Sequence, residues 1–168
     1  MDSQAGRRFE VRVEGVYFDA AHFATFGGDC EPLHGHSYQV AAEISGPLTE
    51  QSWVVNFIEL KAILRGLSRE LDHRFMLQLD SRLLRIDDAG ESWQVFTPGD
   101  RSYSFPKADV AALPIDNTTA ERLAEWFGDR LARSLAERGA ANLEAITVEI
   151  WEGPGQRASH RQRGLPIE

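Results

Sequence analysis

The chain has 168 residues, enough for one domain with a real core and too few for two, and its 42% hydrophobic and 26% charged content excludes a disordered or coiled-coil polymer. Eighteen basic residues against 26 acidic ones give a net charge of −8, the wrong sign for a protein that wraps nucleic acid. One cysteine, Cys30, excludes an intrachain disulfide, the start MDSQAGRRFEVRV lacks the apolar stretch of an export leader, and no apolar run nears the roughly 20 residues that span a bilayer, so a soluble cytoplasmic protein is expected, with no nucleic acid and no membrane.

Phe9, Val11 and Val13 alternate with charged residues, the period of a half-buried strand that runs to Phe18 or beyond. The loop TFGGDCEPL follows, and residues 34–44 alternate again, which predicts two antiparallel strands joined by a long loop suited to function. Asn56 precedes Phe57, Leu60, Ile63, Leu64, Leu67 and Leu71 on one helical face, with Glu59 completing a capping box. Residues 80–115 are the least regular stretch. Short strands are predicted there at 83–86, 93–97 and 103–105, with Pro98-Gly99-Asp100 turning a hairpin. A second helix starts at Thr118, with Glu121 three residues on, buries Leu123, Trp126, Phe127, Leu131 and Leu135, and ends at Gly139. Strands at 143–151 and 156–161 close the chain around Gly153-Pro154-Gly155. The order predicts an α+β domain: an antiparallel sheet with two helices on one face, plus an inserted β-hairpin region at 80–115.

The chemistry gathers on His22, His34 and His36. On a strand, positions 34 and 36 share a face, and the preceding antiparallel strand can bring His22 opposite them. Three imidazoles with an open fourth position are the ligand set of a catalytic zinc site; two histidines on a solvated strand face are the plainer reading of the pair alone. Cys30, four residues before His34, is a small buried hydrophobe, a thiolate favoured by a nearby cation, or a fourth ligand that closes the site. Asp72-His73 is a helix C-terminal cation or an oriented proton shuttle. Glu152 reads as an ordinary strand-end glutamate, and Arg157, Arg161 and Arg163 as a solvated tail or a polyphosphate site.

The motifs FDAAHF, CEPLHGH, LDHRF, NTTAERLA and VEIWE, in that order, resemble the 6-pyruvoyl-tetrahydropterin synthase and 6-carboxytetrahydropterin synthase family. The resemblance implies a tunnelling fold (T-fold) whose subunits close through edge strands into a homo-oligomer, commonly a hexamer built from two trimers, which would cover the unpaired edges of an open sheet. It further implies Zn2+ on His22, His34 and His36, Cys30 as the catalytic cysteine, and Asp72 and His73 as proton-transfer residues contributed across a subunit boundary. Glu152 would anchor the pterin edge, with Thr119 among the neighbouring pterin contacts. The spacing Cys30-x-x-x-His34-Gly35-His36 resembles the bacterial queuosine-pathway branch, which implies conversion of 7,8-dihydroneopterin triphosphate to 6-carboxy-5,6,7,8-tetrahydropterin, acetaldehyde and triphosphate. Pyruvoyl-type or related side-chain cleavage, and a non-catalytic zinc or pterin-binding module with Cys30 closing the site, are the alternatives. The chain departs from the family pattern at Asn56, where Asp is usual, at Thr118 in place of Pro, and in the length of 80–115.

Overall fold

The computed structural model describes residues 7–164; residues 1–6, on which the expectation about a leader rests, and 165–168 lie outside the described residues, as do both ends of the expected 1–168 domain. In chain order the elements are β1 (Phe9–His22), β2 (Thr25–Phe26), β3 (Asp29–Cys30), β4 (His34–Gly46), α1 (Phe57–Leu71), β5 (Arg74–Gln78), β6 (Arg85–Asp88), β7 (Ser92–Phe96) and β8 (Ser102–Pro106), followed by β9 (Val110–Leu113), α2 (Ala120–Glu137), β10 (Ala145–Gly153) and β11 (Gln156–Arg163). The main sheet has the order β11-β10-β4-β1-β5-β9. Its first four strands are antiparallel, as the alternation predicts, but β5 and β9 add in parallel beside β1, so the sheet is mixed. Both added strands are short apolar runs without alternation, which periodicity does not separate from helix or loop.

One irregularity sets the phase of the whole site. The register of β1 against β4 slips between Val13 and Val16, where Gly15 takes φ +78°, a left-handed conformation that costs a glycine little. Before this bulge the odd positions face the core, and after it Val16, Phe18, Ala20 and His22 do. A regular strand would have turned His22 to the opposite face.

The helices lie over one face of the sheet. Asn56 caps α1, its side chain accepting from the backbone N–H groups of Ile58 and Glu59, and Leu60, Leu64, Leu67 and Leu71 are buried beneath it. The cap of α2 is Thr119, which accepts from Arg122 N–H, rather than the predicted Thr118. The Thr118 side chain is fully buried and bonded elsewhere, so it is not available to cap. Phe18 stacks on Tyr38 with centroids 4.7 Å apart and on Phe127 of α2 at 5.9 Å, joining sheet and helix in one core.

Segment 80–115 holds more than a hairpin. Strands β6, β7 and β8 form a separate three-stranded antiparallel sheet, and β9 returns to the main sheet. Phe105 stacks on Phe75 at 4.0 Å, and Tyr103 lies 5.4 Å from Phe23, building a second core that also contains Cys30, Leu84 and Val95. The small sheet thereby becomes the floor beneath the Cys30 loop. Among the described residues no helix is long and apolar enough to cross a membrane.

Candidate metal centre and active site

Three histidines converge where β1 ends and β4 begins. His22 pairs in register with His34, and His36 follows on the same face. Ring centroids are separated by 4.6 Å (His22–His34), 5.2 Å (His22–His36) and 4.9 Å (His34–His36), and one nitrogen from each ring lies within 4.8 Å of the others. Gly35 permits this approach, since a Cβ there would sit only 3.0 Å from the Ala20 carbonyl oxygen of the facing strand. His34 Nδ1 donates to the Pro32 carbonyl at 2.8 Å and His22 Nδ1 to the Thr118 carbonyl at 3.0 Å, so in both rings Nε2 is the nitrogen left for the cluster. His22 Nε2 is buried without a hydrogen-bond partner among the described residues. A buried orphan lone pair beside two more imidazoles fits a divalent transition-metal ion, which needs three neutral nitrogen donors of this kind.

Burial, with His34 and His36 adding to it, pushes His22 down to about pKa 4 from its ordinary 6.5. In the metal-free protein the native state then binds fewer protons than the unfolded chain between those two values. Stability is therefore full above about pH 6.5 and falls as the pH drops toward 4, by on the order of 3 kcal/mol. Denaturant titrations of metal-free protein at pH 7 and pH 4 should show this loss, and His22→Gln should remove most of it.

Cys30 is 4% exposed on the β2–β3 hairpin, its thiol directed at the Glu31 carbonyl at 3.5 Å. Arg101, from the turn between β7 and β8, donates to the Cys30 and Glu31 carbonyls. Burial raises the Cys30 pKa, the Arg101 charge opposes this, and Asp29 and Glu31 add to it. The thiolate expected beside a cation is thus not favoured by the chain alone. Nor does Cys30 belong to the group of nitrogens that converge with His22.

Glu152 lies near the end of β10, at the register irregularity between Trp151 and Gly153. It is half-buried, and desolvation raises its pKa, eased by His36 and His34 and reinforced by Glu121 and Glu31. Glu152 therefore shares a neighbourhood with the histidine cluster. Thr119 stands at the head of α2, with its hydroxyl engaged as the cap, two residues before the Glu121 whose charge acts on Glu152.

Asp72 and His73 are brought to each other and not to Cys30. Asp72 Oδ1 lies 3.1 Å from His73 Nδ1 and accepts from Asp19 N–H at 2.9 Å, the contact that chiefly lowers its pKa. His73 takes a left-handed φ of +57° and donates its own N–H to the Asp19 carbonyl at 2.6 Å. Asp19 and its partner Ser37, whose side chains bond each other, alternate with the Ala20–His36 pair, so the dyad is tied to the sheet face opposite the histidine rings. A cleft of about 560 Å³ is bordered by His73, Asp19 and Phe75 and reaches His36. A second cavity, about 690 Å³ between α1, α2 and β9, contains none of these residues.

Of the three arginines near the C-terminus, Arg157 is committed to Glu149, which Arg12 also binds. The residues that sequence reasoning missed are Thr118, Gln78, Glu31 and Arg101. Gln78, fully buried at the end of the apolar run Phe75–Met76–Leu77, carried the one available signal, because a lone amide in such a run must bond something.

The family model described as 6-pyruvoyl tetrahydropterin synthase matches residues 10–163. A 6-carboxy-5,6,7,8-tetrahydropterin synthase of Aquifex aeolicus is 31% identical over 136 residues, 79% of this chain and 76% of that protein. A dihydroneopterin monophosphate aldolase of Pyrococcus furiosus is 25% identical over 136 residues, 81% of this chain and 83% of that one. A Plasmodium vivax 6-pyruvoyltetrahydropterin synthase, solved with a catalytic glutamate replaced by alanine, superposes with a TM-score of 0.88 at 28% identity, over 94% of this chain and 99% of its own.

Proposed function

The chain belongs to the 6-pyruvoyl tetrahydropterin synthase family, and from that premise we propose that it is a zinc-dependent 6-carboxy-5,6,7,8-tetrahydropterin synthase. The T-fold and the coarser activity, pterin side-chain lyase chemistry, come with the family. The finer reading is conversion of 7,8-dihydroneopterin triphosphate to 6-carboxy-5,6,7,8-tetrahydropterin, acetaldehyde and triphosphate, a step toward queuosine-type 7-deazapurines in the cytoplasm. The observation that carries it is the three-histidine cluster together with a half-buried glutamate, Glu152, close enough to feel the charge of His36 and His34. Incubation with dihydroneopterin triphosphate and mass-spectrometric identification of the products tests it; a pterin product other than the 6-carboxy compound overturns it.

His22, His34 and His36 would hold Zn2+, which when bound polarises the oxygens of the substrate side chain. Glu152 accepts two neighbouring N–H groups of the pterin and fixes the ring, with Thr119 beside it. Cys30 and His73 move protons, and Asp72, 3.1 Å from His73 Nδ1, holds that ring in orientation. Because Asp72 and His73 bond each other and Asp19 rather than Cys30, the reading requires a second copy of the chain to bring a dyad to each cysteine. Among the described residues the outer edge of β11 and the edge of β1 before Asp19 have no neighbouring strand and suit such closure into a homo-oligomer, here read as a dimer of trimers. We read 1–168 as one T-fold domain with 80–115 inserted, the three-stranded sheet serving as a support for the Cys30 hairpin.

Glu31 favours a second reading, pyruvoyl-type or related side-chain cleavage of the same substrate. Its carboxylate acts on Cys30, Tyr38 and Glu152 alike, and the Plasmodium vivax relative employs a glutamate in catalysis. The same product analysis separates the two.

Glu152→Gln is nearly isosteric, yet it turns an amide donor toward a pterin donor. Pterin binding should weaken roughly tenfold to a hundredfold, with zinc content and thermal stability unchanged. Calorimetric titration with a pterin checks this; unchanged affinity removes Glu152 from the site.

A further inference from the structure

The loop that leads into α2 joins the histidine cluster to the Cys30 hairpin through a chain of hydrogen bonds in which each member leaves the next no choice of direction. It begins at Thr25, which pairs with Cys30 across the β2–β3 hairpin. The Thr25 N–H can only donate, and it donates to Asn117 Oδ1 at 3.0 Å. The Thr25 carbonyl can only accept, and it accepts from Asn117 Nδ2 at 2.9 Å. These two contacts fix the Asn117 amide in one orientation. Gln78, facing Asn117 Oδ1, presents its Nε2 at 3.5 Å and so offers Oε1 to the Thr118 hydroxyl at 3.1 Å.

A hydroxyl has one proton. The two oxygens beside Thr118 Oγ1, Gln78 Oε1 and the Phe23 carbonyl, are both acceptors at 3.1 Å, so that proton is directed away from His22 whichever takes it. Toward His22 Nδ1, at 3.2 Å, the Thr118 oxygen is left as an acceptor, beside the Thr118 carbonyl at 3.0 Å. Thr118 and Gln78 are fully buried and His22 is 2% exposed, so no solvent competes for these bonds.

We propose that Thr118 is a positioning residue: its hydroxyl, oriented by the Thr25–Asn117–Gln78 chain, joins the Thr118 carbonyl in accepting the His22 Nδ1 proton, which leaves Nε2 offered to the cluster, and ties the ring to the Cys30 hairpin. The proposal deepens the reading of the cluster as a metal site and rests on it for its effect on metal. The tautomer itself is a property of the metal-free chain.

The test uses the full-length protein, the variants Thr118→Val and Thr118→Ser, and zinc alone as the probe. Long-range nitrogen–proton correlation on the metal-free parent at pH 7.5 should show His22 as the Nδ1–H tautomer. Zinc competition against a chromophoric chelator should show affinity weakened roughly tenfold in Thr118→Val and kept within about twofold of the parent in Thr118→Ser, because outer partners of ligating histidines carry effects of this size. A parent with its proton on Nε2, or a Thr118→Val protein that binds zinc as the parent does, overturns the proposal. If Thr118→Val does not fold, the parent decides it: the buried Thr118 hydroxyl should give a slowly exchanging proton with a cross-peak to the His22 Nδ1 proton, and absence of that contact overturns the proposal. A parent that binds no zinc overturns the metal reading instead, and a His22 Nδ1–H population left unchanged in Thr118→Val then overturns the positioning role.

Discussion

Replacing Cys30 with alanine is expected to lower turnover by about 10²–10⁴-fold while the protein keeps its zinc, since that is the usual contribution of a placed proton-transfer group. Cys30 lies on a two-strand hairpin clamped by Arg101 from the small sheet and by Asn117 through Thr25, and it stands outside the converging histidine nitrogens. Loss of its sulfur therefore removes a reacting group without unmaking the metal centre. Its raised pKa keeps it a thiol in the chain alone, so the rate should climb on the alkaline side as thiolate forms. Zinc content and single-turnover rate measured on one Cys30→Ala sample separate the roles. If metal and turnover vanish together, Cys30 is a ligand and the closed, structural form of the site is correct.

His34→Ala should remove both metal and activity. Two imidazoles cannot hold a structural or catalytic zinc at ordinary concentrations, so zinc should fall from about one ion per subunit to almost none. Turnover should fall roughly 10³-fold or more, because a metal that polarises substrate oxygens supplies several kcal/mol of transition-state stabilisation. The fold, and with it the proposed assembly, should persist, because His34 is exposed and stands outside the buried core. Metal analysis and gel filtration on the same preparation check both halves. Full zinc occupancy in the variant would reject the three-histidine centre.

Much of the fold was legible wherever a local rule and the tertiary packing agreed. The Asn56 cap, the apolar stripe of α1 and the end of α2 ahead of Gly139 follow from side chains acting within one or two helical turns. Strands β5 and β9 were not legible, because parallel neighbours buried on both sides carry no alternation, and their pairing links residues more than thirty positions apart. Thr118 misled for an instructive reason. Threonine before an apolar run is a good cap by propensity, but a buried histidine nitrogen and a buried glutamine compete for its hydroxyl, and Thr119 takes the end of the helix.

The same division runs through the candidate site. Residue identity and short spacing brought out, from the sequence alone, the candidate groups: three imidazoles set by H-x-H and a partner strand, a cysteine four residues upstream and an Asp-His pair, with the strand-end glutamate added by the family resemblance. Only the tertiary structure decided which of them meet. The bulge at Gly15 shifts the phase of β1 so that His22 joins His34 and His36 on the core side, while the dyad bonds to Asp19, whose side chain is on the other side. A single inserted residue reverses every side chain beyond it in a strand of period two, and its effect is registered only when the partner strand is in place. Spacing along the chain carries the donor set, whereas the face of the sheet is a property of the pairing.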